Sequence, residues 1–335
     1  MGNYLHLFNT VSEYTEARES EYIEPWVSYT LENEEVNFNK SEYEKLLETP
    51  LTFEITSGGN ITWSYYDNVS SGEYEDAHAT IYYKKNDDTG WTEMSRTLAV
   101  VSGDTIQFKG DNDAYCDADN YDNYDSFSEA TTAGFTLKGN IMSLIDSTGF
   151  TTATTLVSSY TFNFLFSNCT GLTSAENLIL PATTLAYDCY GSMFLGCTSL
   201  TEAPELPATT LANNCYQSMF RGCTNLTTAP ELPATTLANN CYYYMFYGCT
   251  SLTTAPELPA TTLASGCYYG MFNGCTNLNY IKCLATNISA SSSRNNWVSG
   301  VQTTSGTFVK AAGISESTWG RGTSGIPTNW TVQNA

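Results

Sequence analysis

The sequence is poor in histidine, in basic residues and in long apolar runs. Its 335 residues include two histidines, and 13 Lys and Arg stand against 35 Asp and Glu, a formal net charge of −22. The scarcity of histidine disfavours histidine-based catalysis and zinc binding, which rely on imidazole. The shortage of cations disfavours nucleic acid, whose phosphates require clustered Lys and Arg. No apolar run reaches the length that a membrane-spanning helix needs.

The negative charge is concentrated in the N-terminal part of the chain. The net charge is −8 over residues 1–50, −12 over 51–135 and −2 over 136–335. A change of composition of this size indicates a domain boundary near residue 135. The first residues, MGNYLHLFNTVSEYTE, also lack the basic and apolar regions of an export signal, so we expect the chain to begin in the cytoplasm.

From about residue 160 the chain repeats itself with a period of 26 residues. Copies begin at Leu180, Leu206, Leu232 and Leu258 and follow the pattern LPATTLAxxCYxxMFxGCTxLTxAPE. A looser copy, TFNFLFSNCTGLTSAENLI, precedes them and makes about five turns in all. A fixed period of this length with leucine at set offsets predicts a leucine-rich-repeat solenoid.

Each part of the repeat predicts a local structure. The stretch before Pro204 is expected to be a short strand that stops there, because proline cannot donate to a β-ladder. Cys215, Met219 and Phe220 have helical spacing, which predicts a short helix or 3₁₀ turn that Gly222 closes. One turn alone cannot bury its apolar side chains, so the turns must stack. The buried columns are Leu226/Leu252/Leu278, Met219/Met245/Met271 and Phe220/Phe246/Phe272.

Ten of the eleven cysteines lie in the repeat region, mostly in two columns. One column is Cys189, Cys215, Cys241 and Cys267, and the other is Cys197, Cys223, Cys249 and Cys275, with Cys169 as a looser first member. Stacked strands lie about 4.8 Å apart, but equivalent side chains point in parallel, whereas a disulfide requires converging Cβ atoms. We therefore expect buried, reduced thiols, with disulfides as the alternative.

The regions that flank the repeats are also predicted to be β-rich. Residues 51–135 contain short alternating stretches separated by turn signals, which predicts a small immunoglobulin-like β-sandwich. Residues 284–335 carry tryptophans among Ser and Gly and are predicted to cap the solenoid, with GIPTNWTVQNA as a final strand. The predicted fold is thus mainly β with short helical turns: an extended acidic arm (1–50), the sandwich (51–135), the solenoid (136–283) and the cap (284–335).

An aspartate-rich loop at 111–125 has two interpretations. Its members are Asp111, Asp113, Asp117, Asp119, Asp122 and Asp125. Clustered carboxylates are typical of a Ca²⁺ site, but the spacing fits no EF-hand because the invariant glycine is missing. We favour the alternative, a solvated acidic loop. We expect no metal, no cofactor and no catalytic residue in this chain, because no carboxylate has a partnered base or a pocket signature.

Candidate partner-binding residues fall in two places. In the arm, Trp26 and Tyr29 belong to a segment that Pro25 keeps extended, and they either insert into a partner or pack along the chain's own β-domain. In the repeats, the residues that differ between turns include an aromatic and basic group: Arg221, Tyr243, Tyr244, Tyr247 and Tyr269. This group either stacks on sugars or a protein partner, or occupies unconstrained solvent positions.

Two stretches resemble known families. The repeat core CYxxMFxGCTxLTxAP, over residues 160–282, resembles the BspA-like leucine-rich repeats of bacterial surface proteins and of phages that infect gut Bacteroidetes. The stretch YLHLFNTVSEYTEARESEYIEPWVSYTLENEEVNFNK, followed by LLETPLTFEI, is similar to the leader shared by structural proteins of crAss-like phages. The second resemblance implies a virion protein that its leader attaches to the particle, and it implies no catalytic residues.

These resemblances set the functional expectation. We expect a non-enzymatic phage structural protein on the virion exterior, a capsid-attached head fibre or decoration, assembled in the host cytoplasm. Its partners would be other virion proteins through the arm and a host surface protein or glycan through the solenoid, with no nucleic acid. Assembly of the chain as a homo-oligomer, such as a trimer, stays open. The alternative is a bacterial BspA-like surface adhesin, which requires export.

Overall fold

The computed structural model describes residues 29–31, 34–36, 40–67, 73–116, 123–127, 131–301 and 304–335. Over these residues the fold is mainly β, as the sequence predicts. Trp26 lies outside the described residues, and so do Asp117, Asp119 and Asp122 of the acidic loop.

The N-terminal segment ends in a helix. Strands β1 (Tyr29–Leu31) and β2 (Glu34–Val36) form an antiparallel hairpin, and α1 (Lys40–Glu48) follows. The prediction of an extended arm is therefore wrong for residues 40–48, where Tyr43 and Leu47 are half-buried at helical spacing. Among the described residues, no helix is long and apolar enough to cross a membrane.

Two β-sheets pack face to face after α1. The first contains β3 (Leu51–Ser57), β6 (Ile81–Lys85), β7 (Thr92–Glu93), β9 (Thr105–Gly110), β11 (Gly134–Asn140) and β12 (Leu172–Ile179), in the order β12-β11-β3-β9-β6-β7. In the second, β4 (Gly59–Asp67) pairs with β5 (Glu73–Asp76), β8 (Thr97–Val100) and β10 (Tyr124–Phe127). Buried and half-buried residues alternate along β9, which is the pattern that predicted strands here.

Phe53 of β3 lies at the centre of the core between the sheets. Its ring centroid is 4.5 Å from that of Phe135 and 4.7 Å from that of Phe127. Phe108 lies 4.9 Å away on the neighbouring strand of the same sheet. Phe127 belongs to the second sheet, where the ring of Trp63 on the neighbouring strand lies 4.9 Å from it. Aromatic residues from several strands thus fill one irregular core. The four phenylalanines and Trp63 are each at most 1% exposed.

The sandwich continues into the repeats through β11. This strand pairs antiparallel with β3 and parallel with β12, which belongs to the first repeat. The predicted domain boundary at 135/136 falls inside β11, so the two regions share a sheet and one hydrophobic core. Beyond β12, strand pairing is reduced to single parallel bridges, such as those that join Ser174 to Glu202 and Glu202 to Thr228. Proline follows two residues after each later bridge position, and this keeps the strands short.

The C-terminal segment covers the end of the stacked turns. Strands β13 (Tyr280–Cys283), β14 (Thr307–Lys310) and β15 (Thr331–Asn334) form a parallel sheet, with α2 (Glu316–Trp319) before β15. The rings of Trp297 and Trp319 stack at 5.7 Å, and both are at most 2% exposed. The predicted final strand is present as β15.

Candidate binding surface

The segment CYxxMFxG of each turn forms two alternating sets of backbone hydrogen bonds. The amide of Tyr190 donates to the carbonyl of Cys215 in the next turn at 3.0 Å, and that of Ser192 donates to Gln217 at 2.8 Å. The intervening amide of Gly191 donates three residues back, to Asp188, at 3.2 Å. Every second amide thus joins successive turns, which holds side chains 26 residues apart in register.

Three backbone positions of this segment have positive φ in every turn. They form the columns Asp188/Asn214/Asn240/Gly266, Ser192/Ser218/Tyr244/Gly270 and Gly196/Gly222/Gly248/Gly274. Left-handed residues cannot continue a right-handed helix. Of the two predicted alternatives, the helix is therefore wrong and the 3₁₀ turn is confirmed in part: bonds to the third preceding residue form, but each left-handed residue interrupts them. The glycine that was expected to close the segment, Gly222, does have positive φ (77°).

The interior of the stack is built from columns of identical residues. The predicted Leu, Met and Phe columns are confirmed, since all nine members are 0% exposed. All eleven cysteines are free and buried, which confirms the prediction made for those of the repeats. The Cys223 thiol donates to the carbonyl of Phe194 at 3.1 Å, and Cys249 repeats this contact with Phe220 at 3.1 Å. Burial raises the pKa of these thiols, to about 12 at Cys197, which leaves them protonated and unreactive.

The aromatic and basic group that varies between turns forms one surface cluster. We call it the tyrosine–arginine patch: Arg221, Tyr243, Tyr244, Tyr247 and Tyr269. Tyr243 and Tyr269 stack with ring centroids 4.7 Å apart and an interplanar angle of 17°. Tyr244 meets them edge-on, at 4.5 Å from Tyr243 and 5.4 Å from Tyr269. The four tyrosines are half-buried, so they present part of their surface to solvent.

Arg221 completes the patch from the preceding turn. Its side chain is exposed, and its guanidinium carbon lies 5.0 Å from the ring centroid of Tyr247 and 5.5 Å from that of Tyr244. Tyr244 and Tyr247 are themselves 5.3 Å apart with nearly perpendicular rings. A cation over aromatic faces is stabilised by the ring quadrupoles. All five residues predicted in the repeats are thus brought together, across three successive turns.

Tyr244 adopts an unusual backbone conformation for a bulky residue. Its φ is +54°, whereas Ser218 and Gly270 occupy the equivalent positions of the neighbouring turns. The left-handed region costs a non-glycine residue about 1–2 kcal/mol. A Cβ at Gly270 would lie 2.1 Å from the Tyr244 ring, so only glycine there lets the ring lie across the next turn. Partial burial raises the pKa of Tyr244 to about 12, and its hydroxyl remains a donor.

A buried carboxyl that sequence reasoning missed lies in an earlier turn. Asp188 is 6% exposed, and its Oδ1 atom has no hydrogen-bond partner among the described residues. Burial raises its pKa to about 7, which the Asn163 side chain opposes only in part. Gly191 makes room for this carboxyl, since a Cβ there would lie 1.9 Å from Oδ1. The sequence did contain a sign of this burial, because the equivalent position in the next two turns holds the uncharged residues Asn214 and Asn240.

The described members of the acidic loop are held by the protein itself. Asp125 is 6% exposed and accepts hydrogen bonds from the backbone amides of His78 at 2.7 Å and Ala79 at 3.0 Å. Burial raises its pKa to about 6. Asp111 accepts from the amide and hydroxyl of Ser147. The interpretation as a solvated loop is therefore wrong for Asp125, and the described residues include no cluster of three or more metal-ligating side chains.

The arm candidates have a different outcome. Trp26 lies outside the described residues, and Tyr29 is the first residue of β1. Their partner-binding role therefore stays a prediction. Scans against models of protein families, against curated proteins and against solved structures found no match to this chain. The tyrosine–arginine patch is accordingly identified as the candidate binding surface by its geometry.

Proposed function

We propose that the chain is a non-enzymatic structural protein of a bacteriophage virion, a capsid-attached fibre or another exterior decoration. The acidic segment at 1–50 attaches it to other virion proteins, and the stacked repeats project outward. The proposal is carried by the similarity of the first 55 or so residues to the leader of crAss-like phage structural proteins. The separation of charge supports it, because an acidic attachment region adjoins a nearly neutral projecting region.

The proposal includes a finer description of the fold. We infer that the stacked turns are a BspA-like leucine-rich-repeat solenoid and that residues 51–135 are of immunoglobulin-like type. Backbone hydrogen bonds between residues 25 apart in successive turns, such as Tyr190 to Cys215 and Phe246 to Met271, support the solenoid. The two facing sheets support the second inference. The buried tryptophans of 284–335 act as the cap that an apolar solenoid end requires.

A structural role accounts for the state of the nucleophilic side chains. The repeat thiols and the tyrosine column Tyr190/Tyr216/Tyr242/Tyr268 are buried, and burial raises their pKa values. Successive tyrosine rings stack 5.7–6.1 Å apart. Protonated, stacked groups of this kind hold turns together. They lack the activation by a neighbouring base that nucleophilic catalysis requires.

A bacterial BspA-like surface adhesin is the second candidate, and the tyrosine–arginine patch favours it equally. Both candidates use an exposed repeat surface to contact a host or a neighbouring cell. They differ in location, since the adhesin is exported to a bacterial surface, whereas the phage protein assembles into particles in the host cytoplasm.

Mass spectrometry and immunogold electron microscopy of purified phage particles test the proposal. We expect peptides of this chain in the particles and antibody label on their exterior. A chain that lacks residues 1–39 keeps α1, whose Leu47 carbonyl accepts a hydrogen bond from Asn140 of β11, and it should fold but fail to join the particle. A Tyr243→Gln variant serves as a matched control that joins normally. Absence of the chain from particles would overturn the proposal, and label on bacterial cells would establish the adhesin.

A further inference from the structure

Arg221 is far from every other basic residue along the sequence. It is the only basic residue between Lys138 and Lys282, in a chain whose net charge is −22. Its guanidinium contacts the rings of Tyr244 and Tyr247 and forms no hydrogen bond or ion pair with any described residue. A guanidinium that lies over aromatic rings keeps the N–H groups at its edge available for a planar anion, which it binds with two parallel hydrogen bonds.

The tyrosines beside Arg221 offer a second kind of contact. Tyr243 and Tyr269 form a stacked pair, and Tyr244 closes one side of it. The rings are half-buried, so their orientation is held before any ligand arrives. Phenol rings present an apolar surface to the C–H face of a sugar ring, and their hydroxyls can donate to and accept from sugar hydroxyls.

The fold of the repeat does not require a tyrosine at position 244. Ser218 and Gly270 occupy the equivalent position in the adjacent turns with the same left-handed backbone, and Phe164 does so in the first turn with φ +57°. The position thus accepts different side chains, and the third turn carries one whose ring reaches its neighbours. Tyr244 is also the residue that joins Arg221 to the stacked pair, because its ring contacts all three.

We propose that the tyrosine–arginine patch binds a carboxylated sugar. The pyranose ring lies on the Tyr243–Tyr269 pair, and the carboxylate is bound by Arg221. One guanidinium matches one carboxylate, whereas a polyanion such as a nucleic acid requires several cations. This inference rests on the proposed function only in that the repeats face outward. Uronic acids of capsular polysaccharides and sialic acids share the required chemistry.

Titration calorimetry of the full chain tests this assignment. The probes are a trigalacturonate oligosaccharide and sialyllactose, each compared with a neutral counterpart, trigalactose or lactose. We expect at least one acidic probe to bind at least tenfold more tightly than its neutral counterpart, with an affinity that falls as salt rises. The probe that binds identifies which of the two sources supplies the sugar.

The repeats themselves supply matched variants. Tyr243→Gln with Tyr244→Ser gives the third turn the residues that the second turn has at 217 and 218, so it should fold and melt no lower than the parent. We expect this variant to lose more than tenfold in affinity. Arg221→Gln should lower the affinity for the acidic probe about tenfold and leave the neutral one unchanged. Leu195→Ala, in the same column one turn away, should change neither.

Three results would overturn the proposal. They are equal affinity for acidic and neutral probes, an acidic affinity that Arg221→Gln leaves unchanged, and the absence of binding by both acidic probes. None of these results bears on whether the chain is found in virions. Conversely, a chain that binds the acidic probe but is missing from virions would retain the binding site and remove the proposed location.

Discussion

The sandwich and the stacked turns bury comparable side chains in different ways. In the sandwich, Phe53 contacts rings on several strands, and Phe108, Phe127 and Phe135 approach it at different angles. In the stack, Phe220 meets its own kind above and below, at 5.5 Å and 5.7 Å with nearly parallel planes. An irregular core depends on each member, whereas a column repeats one contact that the next turn supplies again.

The two kinds of core place different limits on which residues can change. A buried position of the Leu, Met, Phe or Cys columns keeps its residue, because every turn presents the same environment to it. The solvent-facing positions of the same turn carry no such requirement, and it is there that the tyrosine–arginine patch appears. In the sandwich, buried and half-buried positions alternate only within a strand such as β9, and no longer period relates one strand to the next.

The largest expected effect is that of removing the central ring of the sandwich. Phe53→Ala should lower the free energy of unfolding by about 4–5 kcal/mol, because the cavity is bounded by several rigid strands. Phe220→Ala, the matched change in the stack, should cost about 3 kcal/mol, since neighbouring turns can close on the gap. Urea denaturation followed by circular dichroism measures both. Equal losses of unfolding free energy in the two variants would contradict the proposed difference between the two cores.

A smaller, pH-dependent gain is expected at Asp188. Its pKa of about 7 in the folded chain exceeds the ordinary value of 3.8. The folded state therefore holds this proton more tightly, and its stabilising contribution is complete below pH 4 and lost as the pH rises through 7. Asp188→Asn removes this loss and should stabilise the protein at pH 8 by up to about 4 kcal/mol. Thermal melting at pH 4 is the control, where the two proteins should be nearly equal. A constant difference across this range would contradict the assignment.

The next effect concerns the left-handed glycine column. Gly222 has φ +77°, and a Cβ there would meet its nearest neighbour, the Cα of Gly196, at an ordinary 3.7 Å. Gly222→Ala should thus cost about 1–2 kcal/mol from backbone conformation alone. Gly90→Ala in the sandwich is the control, since a Cβ there has no neighbour within 4 Å and φ is not left-handed. Chemical denaturation measures the stability of both variants. A Gly222→Ala protein as stable as the parent would refute this explanation of the column.

The smallest expected effect is the reaction of the native thiols, which should be close to none. All eleven cysteines are free and buried, so a thiol reagent should modify eleven groups in denaturant and almost none in the folded protein. A count below eleven in denaturant would indicate disulfides. Rapid native labelling confined to the repeats would show that the stack opens more easily than the sandwich.

Sequence reasoning identified the repeat, its buried columns and the patch residues, because a fixed period assigns every equivalent residue the same environment. It missed α1, although Tyr43 and Leu47 already had helical spacing, and it missed the burial of Asp125. It also offered a short helix or a 3₁₀ turn at Cys215–Phe220, of which the helix is wrong. That error arose because periodicity gives spacing but not the sign of φ, and the Asn and Ser at 214 and 218 were not recognised as left-handed residues.

Three features can be read from the amino-acid sequence alone: the period, the columns of Leu, Met, Phe and Cys, and the concentration of charge before residue 135. Apolar residues at a fixed spacing are compatible with few folds, so these features can be predicted without knowing which distant residues are in contact. Three other features follow from the folded chain: β11 belongs to both regions, Asp188 is buried, and Arg221 lies over Tyr244 and Tyr247. Each of these depends on residues that lie far apart along the chain and meet only when the turns stack and the sheet closes on them.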